Sequence, residues 1–270
     1  MRIPLAAAVG LVLTAIYFLI ALLAPLIAPY GMAEVVGDVW EPSSAAHWLG
    51  TDNIGRDLLT RMIYGGRTTI LIATAATALS FATGAVLGFL AAVLGGWADQ
   101  LMSRAVDLLM SIPTLIFALV VLSVMPVTVP VLILVMGLLD STRVYRLARA
   151  VAVDINVMDF VEAARLRGEG RGWIIFREIL PNALSPLIAE MGMRFIFMVL
   201  FVSTLSFLGL GVQPPAADWG GIVKENKDGI VYGIPAALLP AVAIATLAIS
   251  VNLVADWVLN RTTSLKGGRG

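Results

Sequence analysis

Long apolar runs with almost no charge constrain this chain more than any other feature. They cover roughly Pro4–Ile27, Thr69–Leu94, Ala105–Met125, Val127–Arg146, Ser185–Leu208 and Ile234–Leu259. Each is near the ~20 residues that a helix needs to cross the hydrocarbon of a bilayer. Of the whole chain, 59% is hydrophobic and only 13% charged, against about 25% charged in an ordinary soluble domain. Mean hydropathy is +0.93. A water-soluble fold has no interior large enough for that surface. In lipid, every backbone N–H and C=O must be satisfied internally, and these runs lack strand alternation, so helices are expected rather than a barrel. The expected fold is all-α and polytopic, with about six transmembrane helices. The third and fourth runs are separated only by a turn at Pro126. The first run follows Met1-Arg2 directly and exceeds the apolar core of a signal peptide, which predicts a retained span.

Arginine and lysine set the orientation. Arg149, Arg165, Arg167, Arg171 and Arg177 lie between the fourth and fifth runs, with Arg143 and Arg146 at the edge. Arg2, Arg104, Arg261, Lys266 and Arg269 fall on the same side, and Arg56, Arg61, Arg67, Lys224 and Lys227 on the other. The richer side is expected to be cytoplasmic, which puts both termini inside. Residues 1–68 then form the first transmembrane helix and a periplasmic loop. Residues 69–270 form a core membrane domain whose cytoplasmic loop spans 154–182.

Two loops are long enough to carry function. The outer one is expected to end in a short amphipathic helix from about Ile54 to Tyr64, capped by Asp52. Trp40, Trp48 and Trp219 fit interfacial anchoring or contact with a partner, and His47, the only histidine, reads as a surface residue. The cytoplasmic loop alternates apolar residues and arginines over Asp159–Ile175, a pattern of short amphipathic helices broken at Gly168, Gly170 and Gly172. Its core is Glu162-Ala163-Ala164, then Gly168, then Leu180-Pro181. Small residues permit close approach by another surface, glycine permits a sharp turn, and Pro181 near a helix start forgoes little. Composition alone fits a solvated basic loop that only sets topology equally well.

Within the apolar runs, Gly84-x-x-x-Gly88 is a close-packing pattern. Glu190 and Arg194 stand at the i,i+4 spacing that favours an ion pair, read first as structural and second as a gate. Asp140 faces a cavity or pairs with Arg143. There is no cysteine, no glycine precedes a lysine and one histidine cannot form a zincin site. The chain therefore offers no thiol nucleophile, no phosphate-cradling Gly-Lys-Ser/Thr loop and no histidine metal centre.

The segment Glu162-Ala163-Ala164-x-x-x-Gly168, followed after nine residues by x-x-Leu180-Pro181, resembles the EAA loop of ABC importer permeases. One position departs: where that family usually has Ile two residues before the Leu, this chain has Glu178. Leu49-Gly50-Thr51-Asp52-x-x-Gly55-Arg56-Asp57 is similar to the outer-loop signature of dipeptide, oligopeptide and nickel permeases. Gly95-Gly96-Trp97-x-Asp99, Ser111-Ile112-Pro113, Phe207-Leu208-Gly209-Leu210-Gly211 and Pro214-x-x-x-Asp218-Trp219-Gly220 match the same family. The resemblance implies the ABC type I importer permease fold, and the second permease of a pair, which forms half of a path across the inner membrane. It implies a cargo of peptides or peptide-like solutes, with nickel, a nickel chelate or a glycoside as alternatives. Implied partners are a homologous second permease, two ABC ATPases, a solute-binding protein and the bilayer, with no nucleic acid. The chain itself would be non-catalytic and without a cofactor; ATP and Mg would bind the ATPases. Glu162, Ala163, Ala164, Arg165, Arg167, Gly168, Trp173, Leu180 and Pro181 would form the ATPase-coupling loop. Apart from the resemblance, an ion-coupled secondary transporter is the main rival, although the basic loop has no role in that reading.

Overall fold

The computed structural model describes residues 3–267, with side chains described as far as Leu259. Arg2 and Arg269, counted above for orientation, lie outside the described residues, as do the side chains of Arg261 and Lys266. The described chain is helical: α1 (Leu5–Ile27), α2 (Leu58–Leu94), α3 (Gly96–Ser111), α4 (Thr114–Val124), α5 (Val129–Asn156), α6 (Asp159–Leu166), α7 (Arg171–Phe207), α8 (Trp219–Asn226) and α9 (Leu238–Gly267). Helices α1, α2 and α7 are long and apolar enough to cross a membrane, as is the stretch Pro235–Leu259. Helix α5 covers the fourth apolar run. Its 28 residues extend ~42 Å, with Asp140 just before its midpoint and Arg143 and Arg146 just after it.

Three boundaries differ from expectation. The amphipathic helix before the second run is not separate: it opens a continuous 37-residue α2. The third run is broken, because α3 and α4 meet at 83° across Ile112 and Pro113. Proline disfavours helical backbone in the residue before it, and Ile112 accordingly adopts φ −89°, ψ 127°. The third difference concerns Pro181, which is not at a helix start. Helix begins at Arg171, passes through a π-helical turn over Ile174–Ile179 and continues into Leu180-Pro181. Gly172 is therefore inside helix. The wider turn comes immediately before the proline, whose ring would clash with a carbonyl in a regular helix.

The chain divides into two compact units. One comprises Met1–Thr74, Leu119–Ile133 and Phe195–Val254; the other comprises Ala75–Ala118, Leu134–Arg194 and Ala255–Gly270. In the first, α1 lies on α9. A side chain at Gly10 would come within 2.8 Å of the Ser250 carbonyl, so only glycine permits this approach. Thr14 donates to Ser250 at 3.1 Å, and Tyr17 shares a short hydrogen bond with Thr246.

In the second unit, α2 packs on α5 through Gly84 and Gly88. A Cβ there would lie 2.5 Å from the Ser141 carbonyl and 2.7 Å from the Tyr145 carbonyl respectively. That is the contact the small-residue spacing predicts. Phe81, Phe89, Val144, Ile155, Val161, Ile174, Ile179 and Leu187 form the core beside it. Asp99 grips Arg149 with two bonds of 2.5 and 2.6 Å, and Asp107 pairs with Arg146 at 2.7 Å, holding α3 to α5.

Candidate functional site

The residues of the outer-loop motif build one closed network in the first unit. Gly50 and Gly55 have φ of +77° and +82°, and a Cβ on them would sit 2.3 Å from the Glu41 carbonyl and 2.1 Å from the Gly37 carbonyl. Both conformation and space therefore require glycine. Thr51 donates to the Asp38 carbonyl at 2.6 Å and accepts from the Glu41 N–H at 2.7 Å. The fully buried Asp52 accepts the backbone N–H groups of Ile54 and Arg56, both at 3.0 Å, and binds Arg56 Nε at 2.6 Å. It does not cap α2. That role belongs to Asp57, whose Oδ2 accepts the Thr60 N–H at 2.7 Å. Asp57 Oδ1 also meets His47 Nδ1 at 3.2 Å. His47 is thus buried, not superficial, and its ring lies 5.3 Å from that of Tyr30.

Sequence reasoning missed the far side of this network. Glu225 of α8 receives Arg56 at 2.7 Å and Arg61 at 2.5 Å, and Arg61 Nε lies 3.6 Å from Asp52. Asn226 accepts from Trp40 Nε1 at 3.2 Å and from the Asn53 N–H at 2.9 Å. Nothing in local spacing marks these two residues, because they are remote in sequence from the loop they hold. Asp218 caps α8 through the Gly221 N–H at 3.1 Å, and burial pushes its carboxyl above the usual range. Trp219 is not an interfacial anchor. It is 2% exposed, donates to the Met62 carbonyl at 3.0 Å, and its ring covers Gly66. Trp48 is exposed, as interfacial anchoring requires.

The motif of the loop expected to be cytoplasmic has the opposite character. Helix α6 turns Val161 and Ala164 inward, both fully buried, and leaves Glu162, Ala163, Arg165 and Leu166 exposed. The helix ends in a Schellman closure: the Gly168 N–H donates to Arg165 at 2.9 Å and the Glu169 N–H to Ala164 at 3.2 Å. Gly168 has φ +85°, and a Cβ on it would meet nothing within 4 Å, so conformation alone requires glycine here. Arg165 donates to Asn156 at 2.6 Å, and the Arg167 guanidinium lies 5.7 Å from the centre of the half-buried Trp173 ring. Glu178, the departure from the family pattern, faces Arg167 at 3.9 Å. Leu180 is half-buried and Pro181 exposed beyond the π-helical turn.

A third cluster joins α5 and α7 in the second unit. Arg194 binds Glu190 at 2.7 Å, the pair expected from spacing, and also reaches Asp140 at 3.4 Å. Asp140 is fully buried, accepts from Ser80 at 3.0 Å and lies 3.6 Å from Arg143. Four charges and a hydroxyl thus satisfy one another, the condition for keeping a carboxylate inside a membrane helix bundle. Ser80 and the Asp140–Arg194 contact were not legible from sequence.

Residues 84–264 match the family of binding-protein-dependent transport system inner membrane components. A dipeptide transport system permease protein, DppC, of Alkalihalophilus pseudofirmus is 31% identical over 93% of this chain and 83% of its own length. A Brucella suis chain assigned as a peptide transport system permease protein is 37% identical over 92% of this chain and 84% of its own length. A second Brucella suis chain, assigned as a peptide permease protein, is 35% identical over 93% and 84%. The family match covers more than half the chain, and these likenesses extend over nearly all of it. The apolar helices described above are the membrane-crossing elements such a protein requires. The chain belongs to the binding-protein-dependent transport system inner membrane components and is a transmembrane permease subunit of that family.

Proposed function

We propose that this permease forms half of the path by which short peptides or peptide-like solutes enter the cell, in an ATP-driven importer. The observation that carries this reading is the division of α6 into a buried face of Val161 and Ala164 and an exposed face of Glu162, Ala163, Arg165 and Leu166. Val157, Leu166 and Phe176 are 78, 83 and 62% exposed around it. A soluble loop gains nothing by displaying such apolar side chains, whereas a loop that seats in a groove does. The segment from Glu162 to Trp173, which includes the first residues of α7, would follow the closure of the ATPases and transmit it through the π-helical turn to the rest of that helix. ATP and Mg would be held by those partners.

Peptide is the preferred cargo because the relatives carry dipeptide and peptide permease names. The scattered hydroxyls of the helices suit a neutral or zwitterionic solute. Nickel, which favours imidazole and other borderline or soft ligands, fits them less well. Residues 69–270 would form the core domain, with both termini cytoplasmic. A homologous second permease would complete the path and a solute-binding protein would deliver cargo.

Reconstitution of the complex with its binding protein tests the cargo. Saturable, ATP-dependent uptake of labelled di- to oligopeptides is expected. Nickel uptake with no response to any peptide would overturn the cargo and leave the permease assignment standing. Orientation is tested separately in this cysteine-free chain. An impermeant thiol reagent on intact cells should label Ser44→Cys and not Gly170→Cys; labelling at 170 before lysis would reverse the topology.

A further inference from the structure

The second unit contains an apolar groove of about 410 Å³ to which the transport reading assigns no occupant. Phe81, Ala82 and Phe89 of α2 form one wall, and Leu184 and Met191 of α7 line the other. Arg171, at the first position of α7, is the one charged residue along it; every other lining residue is apolar. The α7 lining runs from Arg171 to Met191, about 30 Å of helix. The cation therefore stands at one end of an otherwise uncharged slot. The α2 lining, from Phe81 to Leu90, is about 14 Å long, close to half of the ~30 Å hydrocarbon thickness, which is the depth of one leaflet. Leu184 and Met191 are 45 and 41% exposed on its rim.

We infer that this groove binds a phospholipid with an anionic headgroup. One acyl chain lies in the slot and the phosphate is held by Arg171. Charge complementarity selects this occupant. A protein helix seated here would have to bring a carboxylate to one end and a featureless apolar face to the rest. A phospholipid has that distribution of charge and hydrocarbon in every molecule, and the bilayer supplies it at high concentration. Basic residues at the end of a pocket between membrane helices recognise acidic headgroups by the same electrostatics. The floor of the slot includes Ile175 and Phe176 of the π-helical turn, so the bound chain also packs against that turn near the start of α7.

Native mass spectrometry of the full-length chain tests this, with the chain alone and co-purified with a second permease. The micelles carry equal amounts of phosphatidylglycerol and phosphatidylethanolamine with the same acyl chains. One retained lipid per chain is expected, enriched about fivefold for phosphatidylglycerol, the effect of a single arginine at a membrane surface. Arg171→Gln, an exposed and structurally mild change, should still retain lipid but lose the enrichment. Ala82→Trp, which fills the slot, should lower retention of both lipids. Three results would each overturn the assignment: no lipid on the unaltered chain, enrichment that survives Arg171→Gln, or retention unchanged by Ala82→Trp. Loss of the lipid when the second permease joins would overturn it too, and would make the groove a permease interface.

Discussion

The loop proposed to lie outside and the loop proposed to be cytoplasmic both contain arginines, carboxylates and glycines at fixed spacing, yet they are opposite kinds of structure. In the outer loop Asp52, Arg56, Asp57 and Arg61 are at most 5% exposed, and Glu225 and His47 complete their pairing. In the cytoplasmic loop Glu162, Arg165, Arg167 and Arg171 are exposed. The polar groups of the outer loop are taken up within the described chain, by one another and by Glu225 and Asn226 of α8. The cytoplasmic loop buries only Val161 and Ala164 of its short helix and leaves the remaining chemistry outward. Identical residue types therefore serve self-assembly in one place and an unfilled surface in the other, and burial decides which.

Removing one member of the buried network should have the largest effect. Asp52→Ala leaves Arg56 and Arg61 to share Glu225 alone and strips the acceptor from two backbone N–H groups. Breaking a buried pair in this way costs about 3–5 kcal/mol. A lowered melting temperature and new proteolytic cuts within residues 28–57 are expected. Unchanged protease resistance would show that the network is dispensable and erase the contrast between the loops.

The glycines sharpen it further. Asparagine tolerates left-handed backbone, so Gly168→Asn should keep transport near the original level, while Gly168→Val should abolish it with the subunit still inserted. At Gly55 the Gly37 carbonyl occupies the space as well, and Gly55→Asn should destabilise by more than the ~1–2 kcal/mol of a left-handed residue. Equal tolerance of asparagine at both sites, read from melting temperature and uptake, would contradict the distinction between conformation and space.

The two alanines of α6 divide the same way. Ala164→Leu overpacks a fully buried position and should cost about 1–3 kcal/mol of subunit stability. Ala163→Leu, on the exposed face, should leave the melting temperature unchanged and weaken capture of the ATPases in a pull-down. The opposite assignment of effects would invert the proposed docking face. The smallest effect is expected from Glu162→Lys, an exposed charge. Its reversal should weaken ATPase association about two- to fivefold, and less at high salt. An affinity independent of both the substitution and salt would remove Glu162 from the docking surface.

Hydropathy and residue spacing by themselves determined the all-helical membrane class, the close contact through Gly84 and Gly88, the Glu190–Arg194 pair and the turn at Gly168. Each depends on periodicity or backbone conformation, which neighbours within a few residues control. The tertiary structure alone decided that Glu225 and Asn226 hold the outer loop, that His47 and Trp219 are buried, and that Asp140 meets Arg194 and Ser80. It also decided that helix runs through Pro181 by way of a π-helical turn. These features depend on which distant segments come to share low-dielectric space, where a charge must find a partner wherever the fold brings one. No spacing along the chain encodes that choice.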